Sequence, residues 1–274
     1  MSTDLSAPST VAPATAYPVS EWAAWHAGRE RTLQEEHGWL SLTAFHWLPQ
    51  QEGPLAGLPG RWQADGATAR VRLTDADGVA LWDQDSASVD GPLEATVDEQ
   101  GSLRWLHWGD RQIELARRGG RYAIRVRDPH ASTRTAFTGV PTFPLDPAWV
   151  RPATVMPRAH REIVEVDTAR TDLRQQARID ADVVVELPDG TTVELAATVG
   201  EDGSVSILFH DSSNGAQTAA WRVLFGGVPD AEGRLTLDFN RALNMPYSFT
   251  EFGTCPAPVP TNRIPIPVTA GEKA

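Results

Sequence analysis

Between Thr68 and Phe239 the sequence is a succession of short alternating apolar segments broken by turn dipeptides, and that pattern confines the chain to antiparallel sheet. Thr68–Thr74, Leu103–Trp108, Gln112–Arg117, Tyr122–Arg127, Val183–Leu187, Thr192–Val199, Val205–His210, Ala219–Phe225 and Leu235–Phe239 each read as a strand. Asp77-Gly78, Gly109-Asp110, Gly119-Gly120, Asp189-Gly190 and Asp202-Gly203 supply the hairpin signals between them, because such pairs reach positive φ at little cost. No helical period falls between these segments, so an all-β fold of sandwich or barrel-like antiparallel sheets is expected. No sequence repeat is present, which argues against a propeller or solenoid.

Ahead of the strands, Ser20 is placed to cap a single helix running to about residue 37, with Trp22, Trp25, Arg29 and Leu33 at helical spacing and Gly38 as its stop. The apolar stretch Trp39–Leu48 is expected to dock that helix. Phe143–Pro157 carries four prolines and is the expected seam between two β subdomains. The expected organisation is a disordered tail (1–20), helix and docking segment (21–48), N-terminal β subdomain (49–150) and C-terminal β subdomain (151–274). After Asn240, Pro246, Pro256, Pro258, Pro260, Pro265 and Pro267 remove backbone donors, so this stretch is expected to lie across the body as an extended strap. A free proline-rich ligand would leave Phe249, Phe252 and Ile264 in water.

A formal net charge of -12 argues against a nucleic-acid partner, whose phosphates call for clustered positive charge. No apolar run approaches the ~18 residues of a membrane span, and residues 1–20 lack the features of a secretory signal, so a cytoplasmic protein without a membrane partner is expected. The single cysteine, Cys255, excludes an intramolecular disulfide and a multi-cysteine zinc site, and is expected to be structural. The seven histidines are scattered, so no metal is assigned. Walker A, G-x-S-x-G, H-E-x-x-H, C-x-x-C and G-x-G-x-x-G patterns are all missing. No cofactor is named by the sequence, and nothing in it sets an oligomeric state.

Three constellations carry chemistry. Arg121, Arg125 and Arg127 share one face of a strand, opposite Tyr122, Ile124 and Val126. Guanidinium forks in that array suit a carboxylate or phosphate; a solvated face is favoured for Arg121, and a structural ion pair is an equal reading for Arg127. His210-Asp211-Ser212-Ser213-Asn214-Gly215 is a polar loop between apolar strands, with Thr218 and Arg222 following. It offers a ligand oxygen acceptors, amides and a cation, or is simply a turn held by its own side chains. Asp238-Phe239-Asn240, with Asn244 beyond, could orient a ligand or cap the strap.

These residues resemble one family. Trp25 and Arg29 before Gly38-Trp39-Leu40, then Arg127-Asp128, Phe137-x-Gly139, Asp211-x-Ser213-x-Gly215-x-x-Thr218, Leu237-Asp238-Phe239-Asn240, Thr254-Cys255-Pro256, Asn262-Arg263 and Ala270-Gly271-Glu272-Lys273 are similar to the bacterial and archaeal domain of unknown function family numbered 1684. The resemblance spans roughly residues 21–273 and supplies residues without a reaction. Leu243, Met245 and Tyr247 stand where the family pattern has Tyr, Pro and Cys, and Ala219 and Trp221 replace a Tyr and a Gly. Cys255 therefore lacks a local thiol partner. Lys273 is the one lysine beside 23 arginines; its place in the closing motif implies a contact that a compact ammonium makes, expected near Asp211 or Asp238.

The reading that follows is an enzyme or enzyme-like protein acting on a small anionic metabolite in a polar pocket of the C-terminal half. Arg127, Asp211, Arg222, Asp238, Asn240, Asn244 and Lys273 are the ligand-binding candidates. The alternative is a non-catalytic ligand-binding, phosphopeptide-binding or scaffold module. A carbohydrate-binding module is a third reading, since ten tryptophans offer stacking faces that core packing would equally use.

Overall fold

In a computed structural model, residues 17–83 and 88–274 are described; the expected tail lies, for residues 1–16, outside them. The main helix, α1, spans Val19–Leu33. It begins one residue before Ser20, with Pro18 at its cap, so Ser20 sits in the first turn and caps nothing. It also stops short of Gly38, which ends the turn that follows through an N–H bond to the Glu35 carbonyl (2.8 Å). A one-turn helix, α2, covers Ser132–Thr135.

The first eight strands are β1 (Leu42–Trp47), β2 (Arg61–Ala64), β3 (Ala69–Leu73), β4 (Val79–Leu81), β5 (Gly91–Ala95), β6 (Ser102–Trp108), β7 (Arg111–Arg118) and β8 (Arg121–Arg127). They form a five-stranded sheet ordered β1-β8-β7-β6-β4 and a three-stranded sheet ordered β2-β3-β5. Trp62, Val71 and Leu73 from the small sheet meet Leu106, Ile113, Leu115, Tyr122 and Ile124 from the larger one in a single core. Alternation sends Gln112, Glu114, Arg118, Arg125 and Arg127 to the opposite face. The β7–β8 turn is Gly119-Gly120, with φ 59° and 74°, the positive pair a two-residue hairpin loop of this hand requires.

The remaining strands are β9 (Val150–Asp167), β10 (Arg174–Glu186), β11 (Thr192–Val199), β12 (Val205–Asp211), β13 (Arg222–Phe225), β14 (Arg234–Asp238), β15 (Leu243–Asn244) and β16 (Arg263–Ile264). They make an eight-stranded sheet ordered β14-β9-β10-β11-β12-β13-β15, with β16 parallel to β12. Its inner face buries Val183, Leu195, Ile207, Phe209, Leu224 and Leu237 against Phe239, Ile264, Val268 and Ala270 of the final segment.

The all-β architecture with one N-terminal helix is thus observed, and the proline-rich segment does lie across the body. Its burial alternates from Asn262 to Ala270, with Pro265 and Pro267 outward. Leu40 and Trp39 pack with Leu33 of α1 as expected, and both boundary segments contribute strand as well. Trp39–Leu48 holds the edge strand β1, whose partner is β8. The proline-rich stretch to Pro157 contains the start of β9, the longest strand: Pro157 lies beside the register shift between β9 and β10, where a missing donor is tolerated.

Candidate functional site

The C-terminal candidates form a closed network. Asp211 and Arg222 are buried, 4% and 0% exposed, and joined Nη2 to Oδ2 at 2.9 Å. The same guanidinium donates to the carbonyls of Val268, Ala270 and Glu272 at 2.8, 2.6 and 3.1 Å. These are alternate residues of one extended segment, so one side chain fastens three points of the strap. Asp211 also accepts from the amides of Ser213 and Val268 and from the Ser213 hydroxyl. Asn214 bonds Thr218 and the Ala219 carbonyl; the polar loop is a turn held by its own side chains.

Asn240 bonds the backbone N–H and C=O of Asp146 and the Asp238 carboxylate, and Asp238 in turn accepts from the Tyr17 hydroxyl at 2.6 Å. Asn244 donates to the Lys273 carbonyl at 2.7 Å, while its own amide reaches the buried Glu272 carboxylate at 2.7 Å. Arg29 of α1 pairs with Glu272 at 3.2 Å. Gly271 has φ 79°, and a Cβ there would stand 2.5 Å from the Ala242 carbonyl oxygen, so only glycine fits the closing motif at that point.

The expectation that Lys273 meets Asp211 or Asp238 is not met. The strap does return it to the body, but its ammonium stands over the Phe143 ring at 5.3 Å. Both carboxylates are already occupied by Arg222 and by Tyr17 and Arg241.

A second buried charge cluster lies on the polar face of the five-stranded sheet. Glu114 accepts from Arg125 at 3.0 Å and from Arg127 at 2.8 Å, and the indole of Trp39 lies 5.5 and 4.7 Å from the two guanidinium carbons. Arg125 also donates to the Thr254 hydroxyl at 2.6 Å and Arg127 to the Gly38 carbonyl at 2.7 Å. Burial works to raise the Glu114 carboxyl, but the two guanidiniums more than offset this and hold it below the usual range. Arg121, at the exposed end of the strand, instead stacks on Trp47 at 3.7 Å.

Two cavities open on this face, with Trp39 in the wall of each. One, of about 310 Å³, is lined by His37, Arg104, Gln112, Glu114 and Arg127. The other, of about 570 Å³, lies where the polar face meets the start of β10 and the strap, and is lined by Arg118, Arg125, Gln175, Arg178, Thr254 and Cys255. Burial, reinforced by the charge of Arg125, brings the Arg118 guanidinium down to about 10. The Cys255 thiol is pushed up by burial. Arg178 is paired with Asp180 at 2.8 Å, so the surplus charge comes from Arg118, which has no carboxylate partner among the described residues, and from Arg125, which shares Glu114 with Arg127. Arg125 Nε is buried without a partner; so is Arg222 Nε, but Arg222 lines neither cavity. Among the described residues no cluster of metal-ligating side chains is present.

The structure therefore brings Asp211, Arg222, Asn244 and Lys273 together along the strap, sets Asp238 and Asn240 beside them at α1, and puts Arg127 on the other sheet. Glu114, Arg118 and Gln175 were not selected from the sequence. One signal could have found the first: counting outward from Gly119-Gly120 places Glu114 opposite Arg125, the register observed.

No curated protein matches the chain. An uncharacterized protein of Haloarcula marismortui, solved in solution by NMR, aligns with 52% of this chain and 79% of its own at 28% identity and a TM-score of 0.42. A model of the family described as "Protein of unknown function (DUF1684)" matches residues 135–273, which include the polar loop, the Asp238–Asn240 block and the whole strap. With half of its length matched, the chain belongs to the DUF1684 family.

Proposed function

We propose that the protein binds a small organic anion, bearing a carboxylate or phosphate, in the 570 Å³ cavity between the two large sheets. The observation that carries this reading is the pair Arg118 and Arg125 on one cavity wall, with Glu114 the carboxylate paired with Arg125 and already shared with Arg127. A desolvated excess of guanidinium charge gains most from an anionic partner, and the planar fork matches both candidate head groups. The chain as a whole carries -12, so the cavity is a local reversal of sign. Gln175, bonded to the Thr254 carbonyl, and Thr254, bonded to Arg125, pre-set the wall. In this reading Asp211, Arg222, Asn240 and Asn244 hold the strap that closes the cavity, and do not touch the ligand.

Calorimetric titration with short carboxylates and with inorganic phosphate tests the proposal. Arg118→Gln should weaken binding roughly tenfold or more while the melting temperature stays near that of the wild type. Absence of binding to every anion, or unaltered binding in Arg118→Gln, would overturn it.

A further inference from the structure

The outer face of β11–β13 carries an apolar patch within a polar margin. On these strands Leu195, Ala197, Ile207, Phe209 and Leu224 already fill the core, so the alternate positions should be polar if they met water. Thr192, Glu194, Thr198, Ser206 and His210 follow that expectation, but Ala196, Leu208, Val223 and Phe225 do not. Phe225 is left 61% exposed. A cavity of about 250 Å³ runs over this face, bounded by Ala196, Ser206, Val223 and Phe225 on the sheet and by Val259 on the strap. Small side chains at Ala196 and Ser206 leave the space that larger residues would fill.

This apolar cavity is an extension of the cationic one. Ala177, Thr198, Leu208 and Met245 belong to the walls of both. One end of the combined space thus carries Arg118 and Arg125, and the other ends on Val223 and Phe225. A compact metabolite would use the first part and leave the second in water. A protein segment would need an open groove with backbone groups to pair, whereas this space lies between sheet and strap. An aliphatic chain matches it: narrow, flexible and without polar groups to satisfy.

We infer that the ligand is an amphiphilic anion, its carboxylate or phosphate held by Arg118 and Arg125 and its aliphatic chain laid along β11–β13 toward Phe225. This rests on the anion-binding reading above and adds the tail. Met245 sits at the junction of the two cavities, where an unbranched thioether adapts readily to a passing chain.

The test is a chain-length series of straight-chain carboxylates, a parallel series of n-alkyl phosphates and the matching alcohols, each titrated below its micelle concentration. Affinity for one anionic series should rise roughly two- to fourfold per methylene until the cavity is filled, with the better series identifying the head group. Ser206→Phe, which fills the apolar cavity, should abolish the length dependence and leave the shortest anion unchanged. Phe225→Asp at its exposed end should weaken only the longer members. Short anions that bind with no dependence on length in the wild-type protein would overturn the tail assignment while sparing the head group. Failure of every anion, or alcohols binding as tightly as the acids, would overturn the head-group reading and this inference with it.

Discussion

Two buried arginine clusters divide this molecule, and they are built to opposite plans. Arg222 has one carboxylate of its own, and its terminal nitrogens also hold three carbonyls of the strap, leaving only Nε without a partner. Arg125 shares its carboxylate with Arg127, reaches one hydroxyl, and faces a cavity that holds another guanidinium. The first cluster is balanced and buried; the second carries surplus charge at the edge of open space. A charge buried against a carboxylate of its own fixes backbone. A buried surplus of like charge is where an anionic partner would gain most.

The largest test of this contrast is Arg222→Ala. It strands Asp211 in the core and frees three strap carbonyls, and should cost about 3–5 kcal/mol in urea unfolding. A loss below about 1 kcal/mol would show that the strap is held elsewhere. Arg125→Met should cost less, about 1–3 kcal/mol, because Glu114 keeps Arg127. Equal losses at the two sites would erase the distinction between them.

Buried carboxylates sharpen it further through pH. Glu114 lies below its ordinary range, so its contribution is full above that range and is lost as pH falls through the lowered value. Glu272, pushed upward chiefly by burial despite Arg29 and the Asn244 amide, behaves oppositely: stability is present below the ordinary glutamate range and lost as pH rises through the raised value. Glu114→Gln should therefore be weakest relative to wild type near neutral pH and converge on it in acid. Glu272→Gln should gain on wild type as pH rises across the same interval. Melting temperatures between about pH 2 and pH 8 check both, and parallel profiles would refute the assignment. The smallest effect is expected at Lys273. Since its ammonium rests on Phe143, a contact guanidinium also makes, Lys273→Arg should stay within about 0.5 kcal/mol of wild type in the same unfolding assay.

Fold class was legible because turn dipeptides and period-2 alternation are local properties, as the Gly119-Gly120 hairpin illustrates. Strands without alternation were not. β1 is apolar and aromatic at nearly every position, and β9 from Met156 to Glu165 is largely exposed and charged, stabilised by pairs such as Arg161–Asp180. The strap candidates were legible as a set from the closing motif, but their burial was not, because whether Arg222 meets water or Ala270 depends on a segment 48 positions away. The cationic cavity was hidden for the same reason. Arg125 meets Thr254 across 129 positions, and no periodicity records that encounter.

The seating of α1 has a consequence for how the chain is made. Trp22 donates to the Asn240 carbonyl and Arg29 pairs with Glu272, across separations of 218 and 243 positions. A ribosome adding about 5–20 residues per second takes roughly 10–50 s to supply those partners. During that interval the β1–β8 sheets can close on their own core, but α1 has only the part of its seat made by Leu40 and Val140. Its exposed tryptophans must wait until the last motif emerges. A helix made well before these partners is then late to dock fully, and the burden of contacts so distant falls on the rate of folding more than on final stability.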